Sequence, residues 1–230
     1  MNRLEGVFAV TVGALLTTGL AAFLLGPTPA PTWAPADAGR DAVSVHPHGT
    51  TAANLGSAVV LTPHYILTNA HVVTGAGEHL VVRGQDGREQ PARVVWVSAD
   101  DALDAALLRV EAPLAERRAD LRCTDPEIGE PLLAYGFAGM MVGQGVWGYR
   151  AWGHVSSAMP ERVGWITNAA YLPGMSGGPV YDARGRVVGL VTALLGSQTP
   201  FGQLLGHHGA SILTPVSALC ARLEALGVRR

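Results

Sequence analysis

The chain is poor in several things, and each scarcity removes a class of protein. Two cysteines, Cys123 and Cys220, among 230 residues cannot define the disulfide framework of a small secreted scaffold. Charged residues make up 15% and the formal net charge is −2. No basic patch follows from that balance, so nucleic acid is not an expected partner. No segment repeats at a fixed period, which removes solenoids and propellers. His46-Pro47-His48 and His207-His208 lack cysteines or acids at ligand spacing and read as solvated loop histidines. No metal and no cofactor is expected.

What is present fits a turn-rich all-β domain with a sizeable core: 29 glycines and 48% hydrophobic residues. Short apolar runs recur with turn signals between them. They are VSV, SAVVLT, YILTNA, LVVR, ARVVWV, ALLRV, PLLAYGF, GHVSSA, PVYD, VVGLVTAL and ASILTP. Such spacing argues for a sandwich or barrel rather than alternating strands and helices. The last segment differs. Val216, Leu219, Cys220, Leu223 and Leu226 fall at helical spacing behind Pro215, which predicts a C-terminal helix.

Three residues stand in contexts that suit nucleophilic catalysis. LTNAHVV supplies His71, DAALLRV opens on Asp104, and GMSGGPV carries Ser176, the three lying 33 and 72 residues apart. A serine hydroxyl is a weak nucleophile and needs an adjacent base. Histidine suits that task near neutral pH, and a buried carboxylate fixes the imidazole tautomer. The order His, Asp, Ser is one of three in which this geometry recurs. Asp100 and Asp101 compete for the acid role, but Asp104 alone leads directly into an apolar run. The turn Gly174-Met175-Ser176-Gly177-Gly178 can aim the N–H groups of Gly174 and Ser176 at one point, forming an oxyanion hole.

The same turn fits G-x-S-x-G, the nucleophile elbow of α/β-hydrolases. That elbow needs a helix after the serine, with an acid and a histidine downstream, here Asp182 and His207 or His208. Instead DARGR lies between two apolar runs and predicts a β-hairpin. The strand–turn–helix context is missing.

These motifs together resemble the trypsin-like serine proteases of the bacterial HtrA (Deg) type, without the PDZ domain those proteins often carry. GSAVVLTPHYILTNAHVV is similar to the family's strand–turn–strand ending in its catalytic histidine, and DAALLRV to its acid-bearing strand. ITNAAYLPGMSGGPVYDARGRVVGLVTA resembles the segment from T-D-A through the nucleophile to the pocket-lining strand. GASILTPVSALCARL resembles the closing strand and terminal helix. The likeness covers roughly residues 43–225. It implies two packed six-stranded antiparallel barrels of chymotrypsin type with a C-terminal helix, acting on a protein or peptide substrate through an acyl-enzyme. It also implies a substrate pocket with Ala170 and Tyr171 at its floor and Thr192, Ala193 and Leu194 along its edge. Two residues depart from the family pattern: Met175 replaces Asn or Asp before the serine, and Asn168 replaces the Asp of T-D-A. Without a carboxylate at Met175, activation by a newly cut N-terminal amine is not expected. A protease fold kept as a non-catalytic binding or scaffolding module is the alternative.

The N-terminus reads as a separate unit. Val7–Leu25 is 19 residues without a charge, long enough for a membrane span and longer than a signal-peptide core. The expected organisation is residues 1–26 as an anchor or signal helix, 27–42 as a Pro/Ala-rich linker, and 43–230 as the catalytic domain. This places the domain outside the cytoplasm on a single-pass anchor, with secretion or periplasmic release after cleavage as the alternative. An exported location permits a Cys123–Cys220 bridge, although Cys220 can equally pack on its helix face. The oligomeric state is not specified by the sequence.

Overall fold

The computed structural model describes residues 31–49, 53–100, 102–113, 118–139, 146–159, 163–194 and 210–228. The expected anchor, residues 27–30 of the linker and His207-His208 lie outside the described residues. Among those described, no helix is long and apolar enough to cross a membrane.

Alternation of apolar residues along short strands closes the chain into two antiparallel barrels. The first contains β1 (Ala42–Pro47), β2 (Gly56–Thr62), β3 (Tyr65–Thr68), β4 (His79–Arg83), β5 (Glu89–Val97) and β6 (Ala106–Val110), in the spatial order β1-β2-β3-β6-β5-β4. The second contains β7 (Pro131–Gly139), β8 (Val146–Ala158), β9 (Trp165–Thr167), β10 (Pro179–Tyr181), β11 (Val187–Leu194) and β12 (Ser211–Pro215), ordered β10-β11-β12-β9-β8-β7. Strand β4 shows the usual half-buried pattern, with Leu80 and Val82 inside and His79 and Arg83 outside. The first core gathers Val43, Val45, Ala58, Val60, Ile66 and Leu108. The second gathers Leu132, Ala134, Val155, Met175, Val188 and Leu213.

Strands β1, β2 and β7, which line the seam, are buried on both faces. Residues 42–46 of β1, 56–61 of β2 and 132–138 of β7 are all shielded. Their inward residues fill the barrels, while their outward residues meet across the seam where β1 and β2 pack on β7. The segment before β1 is stitched over that seam. Tyr181 donates its hydroxyl proton to Asp41 and accepts the Gly39 N–H at 3.0 Å, and Arg150 donates to the Ala38 carbonyl at 3.2 Å. Burial raises the Asp41 carboxyl above its ordinary pKa despite the tyrosine bond.

The chain ends in helix α2 (Ser217–Ala225), which follows the short α1 (Ala70–Val73) described below. Leu219, Cys220 and Leu223 are buried as their spacing predicts, whereas Leu226 is 37% exposed. The reason is the way the helix stops. Gly227 takes φ 69°, its N–H bonds the Glu224 carbonyl at 2.9 Å and the Val228 N–H bonds that of Leu223 at 2.9 Å. This is a Schellman ending, in which the glycine supplies the left-handed residue and the next apolar side chain folds back. Val228 therefore takes the buried place that the helical period assigns to Leu226.

Cys123 and Cys220 form a disulfide, their Cα atoms 5.9 Å apart across a separation of 97 residues. The bridge ties α2 to the segment leading into β7, while Arg222 of α2 lies over the Trp96 ring of β5 at 5.5 Å. The terminal helix is thereby fastened to both halves of the fold. Because a closed loop of this length strongly restricts the unfolded chain, replacing both cysteines by serine is expected to cost about 2–4 kcal/mol, or roughly 5–15 °C in Tm. Thermal melts of the double variant beside the oxidised wild type measure this; equal midpoints would show that the bridge contributes nothing.

Candidate active site

The seam between the barrels brings the three sequence-selected regions to one place. Strand β3 runs into the single turn α1, which carries His71, and Asp104 lies just before β6, the strand paired with β3. The Asp104 carboxylate accepts the His71 Nδ1 at 2.6 Å and the His71 backbone N–H at 3.0 Å. Asn69 fixes the acid from behind, donating its side-chain amide to the Asp104 carbonyl at 2.7 Å. Burial pushes the Asp104 carboxyl up, but bonds from the His71 ring and from the backbone N–H groups of His71 and Ala70 outweigh it and hold the pKa below the ordinary value. An ionised acceptor on Nδ1 assigns the ring proton to that nitrogen, leaving Nε2 as an open acceptor.

Ser176 is half-buried on the loop between β9 and β10. Its hydroxyl donates to the Thr192 carbonyl at 3.3 Å, and among the described residues no hydrogen bond joins it to the His71 ring. The loop is held to β11 by the Gly177 N–H on the Val191 carbonyl at 2.7 Å and the Val191 N–H on that of Gly178 at 2.8 Å. The Pro173 carbonyl accepts the Gly139 N–H at 3.2 Å. Because a trans peptide sets C=O and N–H in opposite directions, the Gly174 N–H points away from Gly139. Neither it nor the Ser176 N–H has an acceptor among the described residues. Gly174 has φ 92°, and a Cβ there would lie 2.7 Å from the Phe137 carbonyl oxygen and the Gly139 nitrogen. Only glycine suits the position.

Met175, the departure from the family pattern, has an apolar use here. Its side chain is fully buried in the second core, and the Leu172 N–H points at its sulfur at 3.2 Å. Asn168, the other departure, accepts the His154 N–H at 2.6 Å. A cleft of about 470 Å³ opens beside His71 and Asp104, with Thr192, Ala193, Met159 and Ile212 in its wall. Ala170 and Tyr171 are not part of that wall. Ala170 is exposed, and the Tyr171 ring is buried in the second core, its hydroxyl near Thr167 but without a well-formed hydrogen bond. Leu194 closes β11, and its backbone alone is described.

A larger hollow of about 590 Å³ surrounds Arg122, Glu130, Asp182 and Arg186. It holds no serine or histidine, and these four charges are paired to one another. Asp182, the acid that the hydrolase elbow would require, accepts Arg186 Nη2 at 2.8 Å and the N–H groups of Arg184 and Arg186 at 2.9 and 3.0 Å. It is the turn residue of the β10–β11 hairpin, and β10 rather than a helix follows Ser176. The elbow reading is thereby excluded. His46 is buried with both ring nitrogens engaged, Nδ1 on the Ala53 carbonyl and Nε2 with the Ser44 hydroxyl, each at 2.7 Å.

Sequence reasoning missed Asn54, Ser57 and Asn69, which contact these loops from the first barrel. The available signal was a polar residue at positions where β2 and the β3–α1 junction are otherwise apolar on both faces.

A trypsin-like peptidase domain is matched over residues 56–190. The chain is 30% identical over 174 residues to a probable periplasmic serine endoprotease, DegP-like, of Halomonas elongata, covering 74% of this chain and 34% of that one. It is 34% identical over 150 residues to the putative serine protease HhoA of a Synechocystis species, covering 60% and 36%. The chain thus spans about a third of the length of these curated relatives. In three dimensions it is similar to the serine endoprotease of Yersinia pestis, with a TM-score of 0.67 and 23% identity over 88% of this chain and 68% of that one, a likeness of fold. With the matched domain covering more than half its residues, the chain belongs to the trypsin-like peptidase family, as an HtrA-like member.

Proposed function

We propose that the chain is a serine endopeptidase in which Ser176 is the nucleophile, His71 the general base and acid, and Asp104 the group that orients and stabilises the imidazolium. The observation that carries this is the 2.6 Å bond from His71 Nδ1 to Asp104, which leaves Nε2 as the open basic nitrogen. Ser176 turns its hydroxyl from the Thr192 carbonyl toward that nitrogen as substrate enters, and its oxygen attacks the scissile carbonyl while His71 takes the proton. The N–H groups of Gly174 and Ser176 receive the developing oxyanion. His71 then returns the proton to the leaving amine, and water hydrolyses the acyl-enzyme by the reverse sequence. The names of the relatives, serine endoproteases and serine proteases, favour the same chemistry.

The Ser176 hydroxyl resting on Thr192 favours the second reading, a protease fold without turnover. Labelling with a fluorophosphonate separates the two. Ser176→Ala and His71→Ala are each expected to lower turnover by on the order of 10⁴-fold or more, with the double variant little worse than either, because the group acts as a unit. Wild-type peptidase activity in Ser176→Ala would remove the assignment.

The pocket, in this proposal, takes small to medium aliphatic side chains. The wall formed by Thr192, Ala193, Met159 and Ile212 offers no carboxylate to pair with a bound Lys or Arg, which would be desolvated without a partner there. Methylene groups discriminate by only about 1–3 kcal/mol each, and the preference should be broad over Ala, Val, Ile and Leu. A peptide-library profile led by Lys or Arg at the cleaved bond would contradict this.

We also propose that Val7–Leu25 anchors the protein with the barrels outside the cytoplasm. The uncharged length of the segment supports the anchor, and the disulfide suits an oxidising compartment. The full chain is expected to stay in the membrane fraction through an alkaline carbonate wash. A soluble mature form beginning near Asp37 would instead indicate a cleaved signal.

A further inference from the structure

Ser57 is a polar residue engaged through both its side chain and its backbone on the seam, and the reaction outlined above does not use it. It sits in β2 of the first barrel with no exposure to solvent. Its hydroxyl donates to the Gly174 carbonyl at 2.8 Å and accepts the Phe137 N–H of β7 at 2.8 Å. Its backbone N–H donates to the Ser176 carbonyl at 2.7 Å, and its own carbonyl accepts the Thr68 hydroxyl at 2.7 Å. One residue of the first barrel thus holds both Gly174 and Ser176 of the second.

A buried hydroxyl is costly unless both its donor and its acceptor capacity are used, and here both are. The places they are used matter. The Gly174 carbonyl belongs to the peptide that follows the Gly174 N–H, and a glycine with no Cβ is free to turn about both its bonds. The Pro173 carbonyl, resting on the Gly139 N–H, restrains one side of that residue, and the Ser57 hydroxyl restrains the other. Asn54 stands beside them, donating to the Phe137 carbonyl at 2.6 Å and reaching the Gly174 carbonyl at 3.5 Å. Without the hydroxyl, the Gly174 carbonyl loses its short bond and the Phe137 N–H loses its partner.

We infer that Ser57 is a positioning residue for oxyanion stabilisation: by pinning the Gly174 carbonyl, it keeps the Gly174 N–H aimed for the transition state. This rests on the reading of Ser176 as nucleophile and of Gly174 as an oxyanion donor. It makes the oxyanion geometry a property of barrel docking, since the clamp comes from the barrel that supplies the base and acid.

The test uses the full chain and a fluorophosphonate, in which the Ser176 oxygen bonds phosphorus, fluoride leaves, His71 takes the hydroxyl proton and the phosphoryl oxygen occupies the oxyanion position. The maximal labelling rate and the half-saturating concentration are measured separately, with a thermal melt for each variant. Ser57→Ala is expected to lower the maximal rate by about tenfold or more, short of the ~10²–10³-fold loss seen when a donor is removed outright. The half-saturating concentration should stay within about twofold, as for an interaction made only in the transition state. A folded Ser57→Ala with the wild-type maximal rate, whatever its melting temperature, would overturn the inference and leave Ser57 a structural residue. Should Ser57→Ala lack a cooperative melt, Ser57→Cys carries the same test. Its thiol fills the space but is a weak donor and acceptor, so a folded protein with a reduced maximal rate is expected and an unchanged rate overturns the idea. Ser176→Ala, run in parallel, separates the two failures. Labelling that survives it defeats the assignment of the nucleophile, whereas its loss beside an unaffected Ser57→Ala defeats the inference on Ser57 alone.

Discussion

The site exists only where the two barrels meet. His71 and Asp104 come from the first barrel and Ser176 from the second, so no local segment brings them together. What does is the burial of β1, β2 and β7 on both faces. A strand at a barrel surface normally shows polar residues outward; here the outward positions are apolar or aromatic, or, at Ser44, His46 and Ser57, polar with hydrogen-bond partners, and exposing them would cost both apolar burial and hydrogen bonds. Displacement of one barrel against the other disturbs the Ser57 bonds to Gly174 and Ser176, because hydrogen bonds lose strength steeply with distance and angle. Docking and the geometry proposed for catalysis are therefore coupled through the same few atoms.

The pair formed by His71 and Asp104 is built differently. It lies within one barrel, where β3 and β6 are hydrogen-bonded neighbours, so its geometry follows from sheet register. The His71 ring and the backbone N–H groups of His71 and Ala70 at the start of α1 bond the carboxylate, and they hold its pKa below the ordinary value although burial opposes this. Half of the site is thus as rigid as a sheet. The other half depends on a loop closed by glycines and pinned from across the seam. That division matches where the hydroxyl is found, turned to Thr192 rather than to His71.

Much of this was readable in the residues. Eleven of the twelve strands appear as short apolar runs, and the β10–β11 hairpin follows from DARGR. Strand β9 escaped because three residues, Trp165–Thr167, are too few to display a period. The first half of β8 escaped because Gly148 and Arg150 interrupt its apolar pattern. Burial of Val228 in place of Leu226 was hidden for a related reason: periodicity continues past a helix end that only Gly227 announces. His71, Asp104 and Ser176, the residues of the proposed site, stand out in the sequence because the chemistry expected of them leaves local motifs. The cysteine pairing was not, since both a bridge and a packed thiol suit the same residues. Ser57 was equally silent, because a serine inside an apolar strand has no meaning until the carbonyl it meets, 117 residues away, is known.

Met175 shows how such long-range fit can replace a familiar residue. An acid or amide before Ser176 would place a polar group into the second core, the cluster that also holds Leu132, Ala134 and Val180, where it would need its own partner. Methionine meets the same space with an adaptable apolar chain and still offers its sulfur to the Leu172 N–H. The loop is then held by packing on the inside and by Ser57 on the outside. An apolar anchor gives the turn its depth but sets no direction for the Gly174 peptide, because dispersion is not directional and a hydrogen bond is. With Met175 as the inner anchor, the direction of that peptide has to come from the hydroxyl across the seam and the N–H of Gly139.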